Sequence, residues 1–139
     1  MHHSRTPFLL LLAGLATVSF AGEKSHPLDV ESDRCLQEAT TTLAMLDCHA
    51  SAYQAWDERL NKVYPRVRGH LDSEGKKELL AAQREWLKFR DAQAQWTNNA
   101  FLKMEGSIHR VGAASARVQV VRQRVLELEQ FLEIVEEQH

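Results

Sequence analysis

The sequence predicts an all-α protein: an antiparallel three-helix bundle with long helices, preceded by an N-terminal leader that one disulfide fastens to the bundle. Three observations support this fold class. Apolar residues recur in alternating steps of three and four along three segments, which is the period of an amphipathic helix. Two polar segments that contain glycine separate the three, as turns do. No segment alternates between apolar and polar residues with the period of a strand.

The composition favours one folded domain and excludes several functional classes. The chain has 139 residues, of which 44% are apolar and 26% charged. The formal net charge of −2 argues against nucleic acid as a partner, because nucleic-acid binding requires a basic surface. Two cysteines are too few for a disulfide scaffold or a four-thiolate zinc site. We therefore expect neither a metal nor a cofactor.

Residues 1–21 have the order of a secretory signal peptide. A polar start with the single base Arg5 leads into the apolar run 8–20, and small residues precede a cleavage point after Ala21. A membrane anchor is the alternative, but the run is shorter than the roughly 20 residues that span a bilayer. We expect a periplasmic or secreted domain with no membrane span, comprising a flexible leader at 22–34 and a helical region at 35–136.

The three helices are expected at about residues 42–69, 74–103 and 108–136. The first and third have continuous apolar seams, in which only Asp57 is charged. These seams comprise Leu43, Leu46, Ala50, Tyr53, Leu60, Tyr64, Val67 and Leu71, and then Val111, Ala114, Val118, Val121, Val125, Leu128, Leu132 and Val135. Pro65 lies inside the first helix, where it removes a hydrogen bond and either kinks or breaks the helix.

The three tryptophans have different expected environments. Trp86 lies in the seam register of the second helix and is expected in the core. Trp56 and Trp96 lie off the main seam. They either pack between the first two helices or remain partly exposed, as interface anchors often are.

Cys35 and Cys48 are expected to pair in an oxidising compartment. On one continuous helix they would be ~20 Å apart, whereas a disulfide needs Cα atoms roughly 4.4–6.8 Å apart. The chain must therefore reverse between them, and the segment Thr40-Thr41-Thr42 offers both a turn and an N-cap. Free thiols and metal ligation are the alternatives.

Asp57 needs a partner if it is buried in an apolar seam. If the first turn centres near Ser73, position 57 lies level with Arg90, so we predict an Asp57–Arg90 ion pair, with Asn61 and Arg84 as alternative partners. Asp57 could instead lie at the seam edge in water. A catalytic role for Asp57 is disfavoured because no second titrating group is evident nearby.

Several motifs resemble the family of periplasmic domains named for the lysozyme inhibitor LprI. The pattern is an N-terminal Cys, a Thr-rich cap and a second Cys, followed by an aromatic, an acid and a Leu-Asn-x-x-Tyr stretch. The most specific part is the string at 80–92, LAAQREWLKFRDA. The polar, aromatic and glycine positions that carry the resemblance are Asn61, Tyr64, Gln83, Arg84, Trp86, Asp91, Gly106, Ser107 and Arg124.

The sequence departs from that pattern at Ala94 and Ala116. Many relatives carry a second cysteine pair at these positions, which are symmetric about residue 105 in the second turn. We expect the two alanines to allow the same close approach of the second and third helices without a bond.

The resemblance implies a secreted or periplasmic non-catalytic binding protein, with a lysozyme-type muramidase as the protein partner. The alternative is an envelope structural or stress-related interaction module with no lysozyme target. An enzyme is disfavoured because the sequence has no nucleophile elbow, phosphate-binding loop or HExxH motif.

Two surfaces are candidate partner contacts. The first is the second turn, residues 103–110, in which Lys103, Glu105, Ser107 and His109 are the leading candidates. The second is the acidic end of the third helix, which could attract a basic partner. It comprises Glu127, Glu129, Glu133, Glu136 and Glu137.

Overall fold

The computed structural model describes residues 25–137, and no strand occurs in that range. The described chain forms four helices: α1 (Pro27–Glu38), α2 (Thr42–Gly69), α3 (Ser73–Leu102) and α4 (Ile108–Glu136). The all-helical prediction is confirmed, and the three long helices begin and end within one residue of the predicted bounds. The predicted signal peptide lies outside the described residues.

Helix α1 was not expected, since the sequence predicted an irregular leader there. Pro27 occupies the start of the helix, where its missing N–H costs nothing, and the His26 imidazole accepts a hydrogen bond from the Leu28 N–H at 3.1 Å. Asp29 in the first turn favours the positive end of the helix dipole. No residue of α1 is fully buried, so its sequence lacks the apolar period that would have indicated a helix. The fold therefore has four helices, and the prediction of three was wrong.

The disulfide between Cys35 and Cys48 is confirmed, with a Cα–Cα distance of 5.7 Å. The chain reverses over residues 39–41, and the Thr41 hydroxyl caps α2 by accepting a hydrogen bond from the Ala44 N–H. The bridge thus fastens α1 to the first turns of α2. Closing a loop of this length is worth about 3 kcal/mol in unfolded-state entropy.

Helix α4 lies between α2 and α3 and packs on both, whereas α2 and α3 hardly touch. Arg59 and Arg66 of α2 pair in the same order with Glu129 and Glu136 of α4, so these two helices run in the same direction. Gln83 of α3 accepts a hydrogen bond from Arg124 of α4 at 3.1 Å, as in an antiparallel hairpin. The long helices therefore run up, down and up with α4 in the middle.

Pro65 lies inside α2, which continues past it to Gly69. The alternative of a broken helix was therefore wrong. Pro65 is exposed, so the carbonyl that loses its N–H partner lies on the solvent side of the helix.

The core is the interface between α2 and α4. Its buried residues are Ala52, Trp56, Leu60, Val63 and Val67 of α2, and Val118, Val121, Val125, Leu128 and Leu132 of α4. All five residues from α4 belong to the predicted seam. The buried face of α2 is rotated from its predicted seam, because α1 and α4 both cover it: Leu43 is 67% exposed and Trp56 is 0% exposed.

Trp56 and Trp86 differ from their predicted environments. Trp56 is fully buried, against α1 and α4 rather than α3, so partial exposure was wrong. The His26 ring lies 4.5 Å from it, and the Arg122 guanidinium lies 5.8 Å from its ring centroid. Trp86 was predicted in the core but is only partly buried at its edge. Trp96 is 57% exposed, which agrees with the second of its two expected environments.

The predicted Asp57–Arg90 ion pair is wrong. Arg90 instead bonds the carboxylate of its neighbour Asp91 at 2.8 Å and lies over the Trp86 ring. Within the described residues Asp57 also makes no hydrogen bond to Asn61 or Arg84; it lies half-buried at the edge of the apolar face of α2. The prediction failed because it assumed that helices consecutive in the chain pack against each other. In the structure α4 lies between α2 and α3.

Ala94 of α3 and Ala116 of α4 lie on the same side of the α3–α4 interface. Both line one small pocket, with a volume of about 40 Å³. Nearer the turn, a methyl group at Gly112 of α4 would lie 2.9 Å from the Phe101 ring of α3. The hairpin is thus closely packed in this region without a covalent bridge.

Truncating Trp56 should destabilise the fold far more than truncating Trp96. We expect Trp56→Ala to lower the free energy of unfolding by about 3–5 kcal/mol, because it removes a fully buried ring. Trp96→Ala removes a ring of the same size from an exposed site and should change it by no more than about 0.5 kcal/mol. Urea denaturation followed by circular dichroism measures both, and equal losses would contradict the core assignment.

Restoring two cysteines should bridge α3 to α4. We expect Ala94→Cys with Ala116→Cys to form a second disulfide on oxidation and to raise the melting temperature, because the bridge restricts the unfolded chain. Mass spectrometry under non-reducing conditions detects the bridge. A control with Ala92→Cys, on an exposed position of α3, and Ala116→Cys should leave free thiols. Free thiols in the first variant as well would show that the two positions are too far apart.

Candidate functional site

One end of the bundle brings together the predicted turn residues. This end, here called the tip, comprises residues 42–43 at the start of α2 and residues 102–110 around the α3–α4 turn. The hydroxyls of Thr42 and Ser107 are 3.2 Å apart and join the two parts. Gly106 has a φ of +101°, a left-handed conformation in which glycine avoids the steric cost of a side chain. The turn is therefore held against α2 by a specific contact.

Large apolar side chains are exposed at the tip. Leu43, Leu102, Met104 and Ile108 are 67%, 62%, 50% and 55% exposed. Single exposed apolar residues are normal on protein surfaces, but a group of them at one place often marks an interaction site.

The tip also carries titratable side chains that no described residue neutralises. The side chains of Lys103, Glu105, His109 and Arg110 make no ion pair with any residue in the described range. The four predicted contact residues, Lys103, Glu105, Ser107 and His109, thus lie together at the tip. Met104, Ile108 and Arg110 also belong to the predicted contact turn, whereas Leu43 and Leu102 lie outside it.

The residues that carry the family resemblance divide into two groups. Gln83 bonds Arg124, whose guanidinium lies 6.0 Å from the Trp86 ring centroid, so these three join α3 to α4. Gly106 and Ser107 belong to the tip. The others are dispersed: Asn61 and Arg84 are exposed, Asp91 pairs with Arg90, and the buried Tyr64 hydroxyl has no hydrogen-bond partner among the described residues.

The acidic end of α4 is largely neutralised by cations of the same chain. Glu129 pairs with Arg59 and lies 3.4 Å from the His26 imidazole. Glu136 pairs with Arg66, and Glu127 lies 3.4 Å from Arg124. Glu133 and Glu137 remain without a partner in the described chain. The surface therefore presents fewer free carboxylates than the sequence suggests.

Two further acids lie beside this surface. Asp29 and Asp33 of α1 face α4 across an open groove, and Asp29 accepts hydrogen bonds from Arg122 at 2.7–3.0 Å. Sequence analysis missed them because it did not predict α1. The capping signal of His26 and Pro27 could have indicated that helix.

His49 is a buried titratable group near the tip. It lies in a shallow pocket with Tyr53 and Arg117, and the Arg117 guanidinium covers the Tyr53 ring at 5.4 Å. Burial lowers the pKa of His49 below its usual value, because desolvation disfavours the imidazolium. His49 is therefore neutral at pH 7 and adds no charge to this part of the surface.

The described residues contain no group of three or more His, Cys, Asp and Glu side chains placed to hold a metal ion. None of the four helices is long and apolar enough to cross a membrane.

The fold resembles that of a solved structure. An uncharacterized protein from Burkholderia thailandensis, known from a crystal structure, superposes with a TM-score of 0.71 at 24% sequence identity. The match covers 78% of this chain and 54% of that chain, so the present chain spans about half of its length. This likeness concerns the fold alone. No functionally curated protein matches the sequence.

A family model described as lysozyme inhibitor LprI matches residues 33–128. The matched region includes both cysteines, the whole of α2 and α3, the tip and most of α4. It also includes all the motifs that carried the resemblance in the sequence. The chain therefore belongs to the lysozyme inhibitor LprI family.

Proposed function

We propose that the protein is an exported, non-catalytic domain that binds and inhibits a lysozyme-type muramidase. The observation that carries this proposal is the family match, which spans α2, α3 and most of α4 rather than an isolated motif. A shared fold does not by itself transfer an activity, so the proposal also rests on the surface of this chain.

The exposed surface supports a protein partner. The framework is slender, and its small pocket between α3 and α4 has a volume of about 40 Å³, enough for a few water molecules. The larger space, about 1220 Å³, is the open polar groove between α1 and α4 rather than an enclosed pocket. Small-molecule sites are typically concave and about 300–1,000 Å³ in volume. The tip, in contrast, combines exposed apolar side chains with unpaired charges, which is the composition of a protein-binding surface.

The disulfide supports the proposed periplasmic or secreted location. Disulfides persist in oxidising compartments and are rare where glutathione keeps thiols reduced. Both cysteines of this chain are joined in the bridge that holds α1. This agrees with the signal peptide proposed at residues 1–21, which would direct the domain out of the cytosol.

An envelope interaction module without a lysozyme target is the second candidate. It is favoured by outward-facing apolar residues of α3 that are distant from the tip in sequence. These are Leu80, Leu87 and Phe89, with exposures of 43%, 37% and 54%.

A muramidase titration distinguishes the two candidates. Residues 22–139, purified with the disulfide intact, should slow the clearing of a peptidoglycan suspension by at least one of the c-, g- and i-type lysozymes, saturating near one inhibitor per enzyme. An endopeptidase that clears the same suspension by cutting peptide cross-links is the control, and its rate should not change. Full activity of all three lysozymes at a large molar excess of the protein would contradict inhibition. The envelope interaction module would then be the remaining candidate.

A further inference from the structure

The geometry assigns the contact surface, and we propose that the tip enters the substrate cleft of the inhibited muramidase, where Lys103 and Arg110 face the carboxylates of that cleft. This inference rests on the proposed function and goes beyond it by naming the surface, the part of the partner that it occupies and the chemistry that joins them.

The shape of the tip fits a cleft. Helices α3 and α4 contain 30 and 29 residues and are therefore each ~45 Å long. The turn between them, residues 103–107, protrudes at the narrow end of this slender body. A protruding end is complementary to a concave site, whereas the long sides of the bundle offer flatter faces.

The charge of the tip is also complementary to the substrate cleft of a muramidase. Most glycoside hydrolases carry a pair of Asp or Glu residues that flank the bond they cut. The tip presents two permanent cations, Lys103 and Arg110, against one carboxylate, Glu105, and none of the three is paired within the described chain. The acidic end of α4 would instead repel such a cleft, and most of its carboxylates already have intramolecular partners.

The apolar residues of the tip supply contact area that charge alone does not. Leu43, Leu102, Met104 and Ile108 surround the turn and are each at least half exposed. Hydrophobic contacts at the centre with polar groups around them are the usual anatomy of a protein interface.

The tip is held in place before binding. The Thr42–Ser107 contact joins the turn to α2, and the Cys35–Cys48 bridge fastens α1 to α2 close to this end. A pre-ordered contact surface loses less conformational entropy on binding than a mobile loop does.

Two pairs of variants test the assignment. Ile108→Ser and Ile134→Ser change the same residue type at the two ends of α4, where the side chains are 55% and 53% exposed. Lys103→Glu with Arg110→Glu reverses the charge of the tip, and Lys62→Glu with Arg68→Glu makes the same reversal on the exposed side of α2. Circular dichroism and thermal melting establish that each variant is folded.

Both tip variants should raise the inhibition constant by about tenfold or more, as truncation at the centre of an interface commonly does. Both control variants should leave it within about twofold. Equal inhibition by wild type and tip variants would overturn the assignment of the tip while leaving the proposed function intact. A wild-type protein that inhibits none of the lysozymes would overturn both.

Competition with a saccharide tests whether the protein occupies the cleft, and it does so with the wild-type protein, so no variant has to fold. Tri-N-acetylglucosamine fills the saccharide subsites of lysozyme, so it should reduce binding of the wild-type protein in calorimetry. Replacing the catalytic acid of the lysozyme by Gln should weaken binding of the wild type more than binding of the Lys103→Glu, Arg110→Glu variant. Binding that is unchanged by saturating saccharide would place the contact outside the cleft and overturn the proposal.

Discussion

The buried ring of Trp56 is the point at which three of the four helices meet. It projects from α2 and has no exposed surface. The His26 ring, just before α1, lies on one side of it, and Arg122 of α4 lies over it while bonding Asp29 of α1. Since α1 contributes no fully buried residue of its own, it depends on this contact and on the disulfide. Trp56 is in turn covered in part by the His26 ring at the start of α1.

This junction leaves the two ends of the bundle with different surfaces. Towards the α2–α3 turn, Arg59 and Arg66 of α2 neutralise Glu129 and Glu136 of α4, so charged side chains are used to hold the helices together. At the tip, the charged side chains remain unpaired within the described chain and the apolar ones remain exposed. Exposed apolar groups contribute nothing to folding, and their burial by a partner is favourable. The difference between the ends therefore points to the tip as the binding surface.

The sequence was informative where one local rule decides the structure. The apolar period located α2 and α4, and five residues of the predicted α4 seam form the core with α2. The cysteine spacing required the reversal before α2. The predictions failed where packing between distant segments decides. The predicted ion pair of Asp57 rested on the assumption that α2 and α3 pack against each other. The burial of Trp56 involves α1, whose only signals in the sequence are its capping residues. The tip residues were predicted as a turn, but the exposure of Leu43 beside them was not, because Leu43 continued the apolar period of α2.

Hydrogen–deuterium exchange of the complex with an inhibited lysozyme measures the contact surface directly. Backbone amides become protected where a partner excludes water or stops local opening. The account predicts new protection confined to residues 42–43 and 102–110, with unchanged exchange along α1 and the last turns of α4. Protection of residues 25–33 and 126–133 with none at the tip would contradict it, and would assign binding to the groove between α1 and α4.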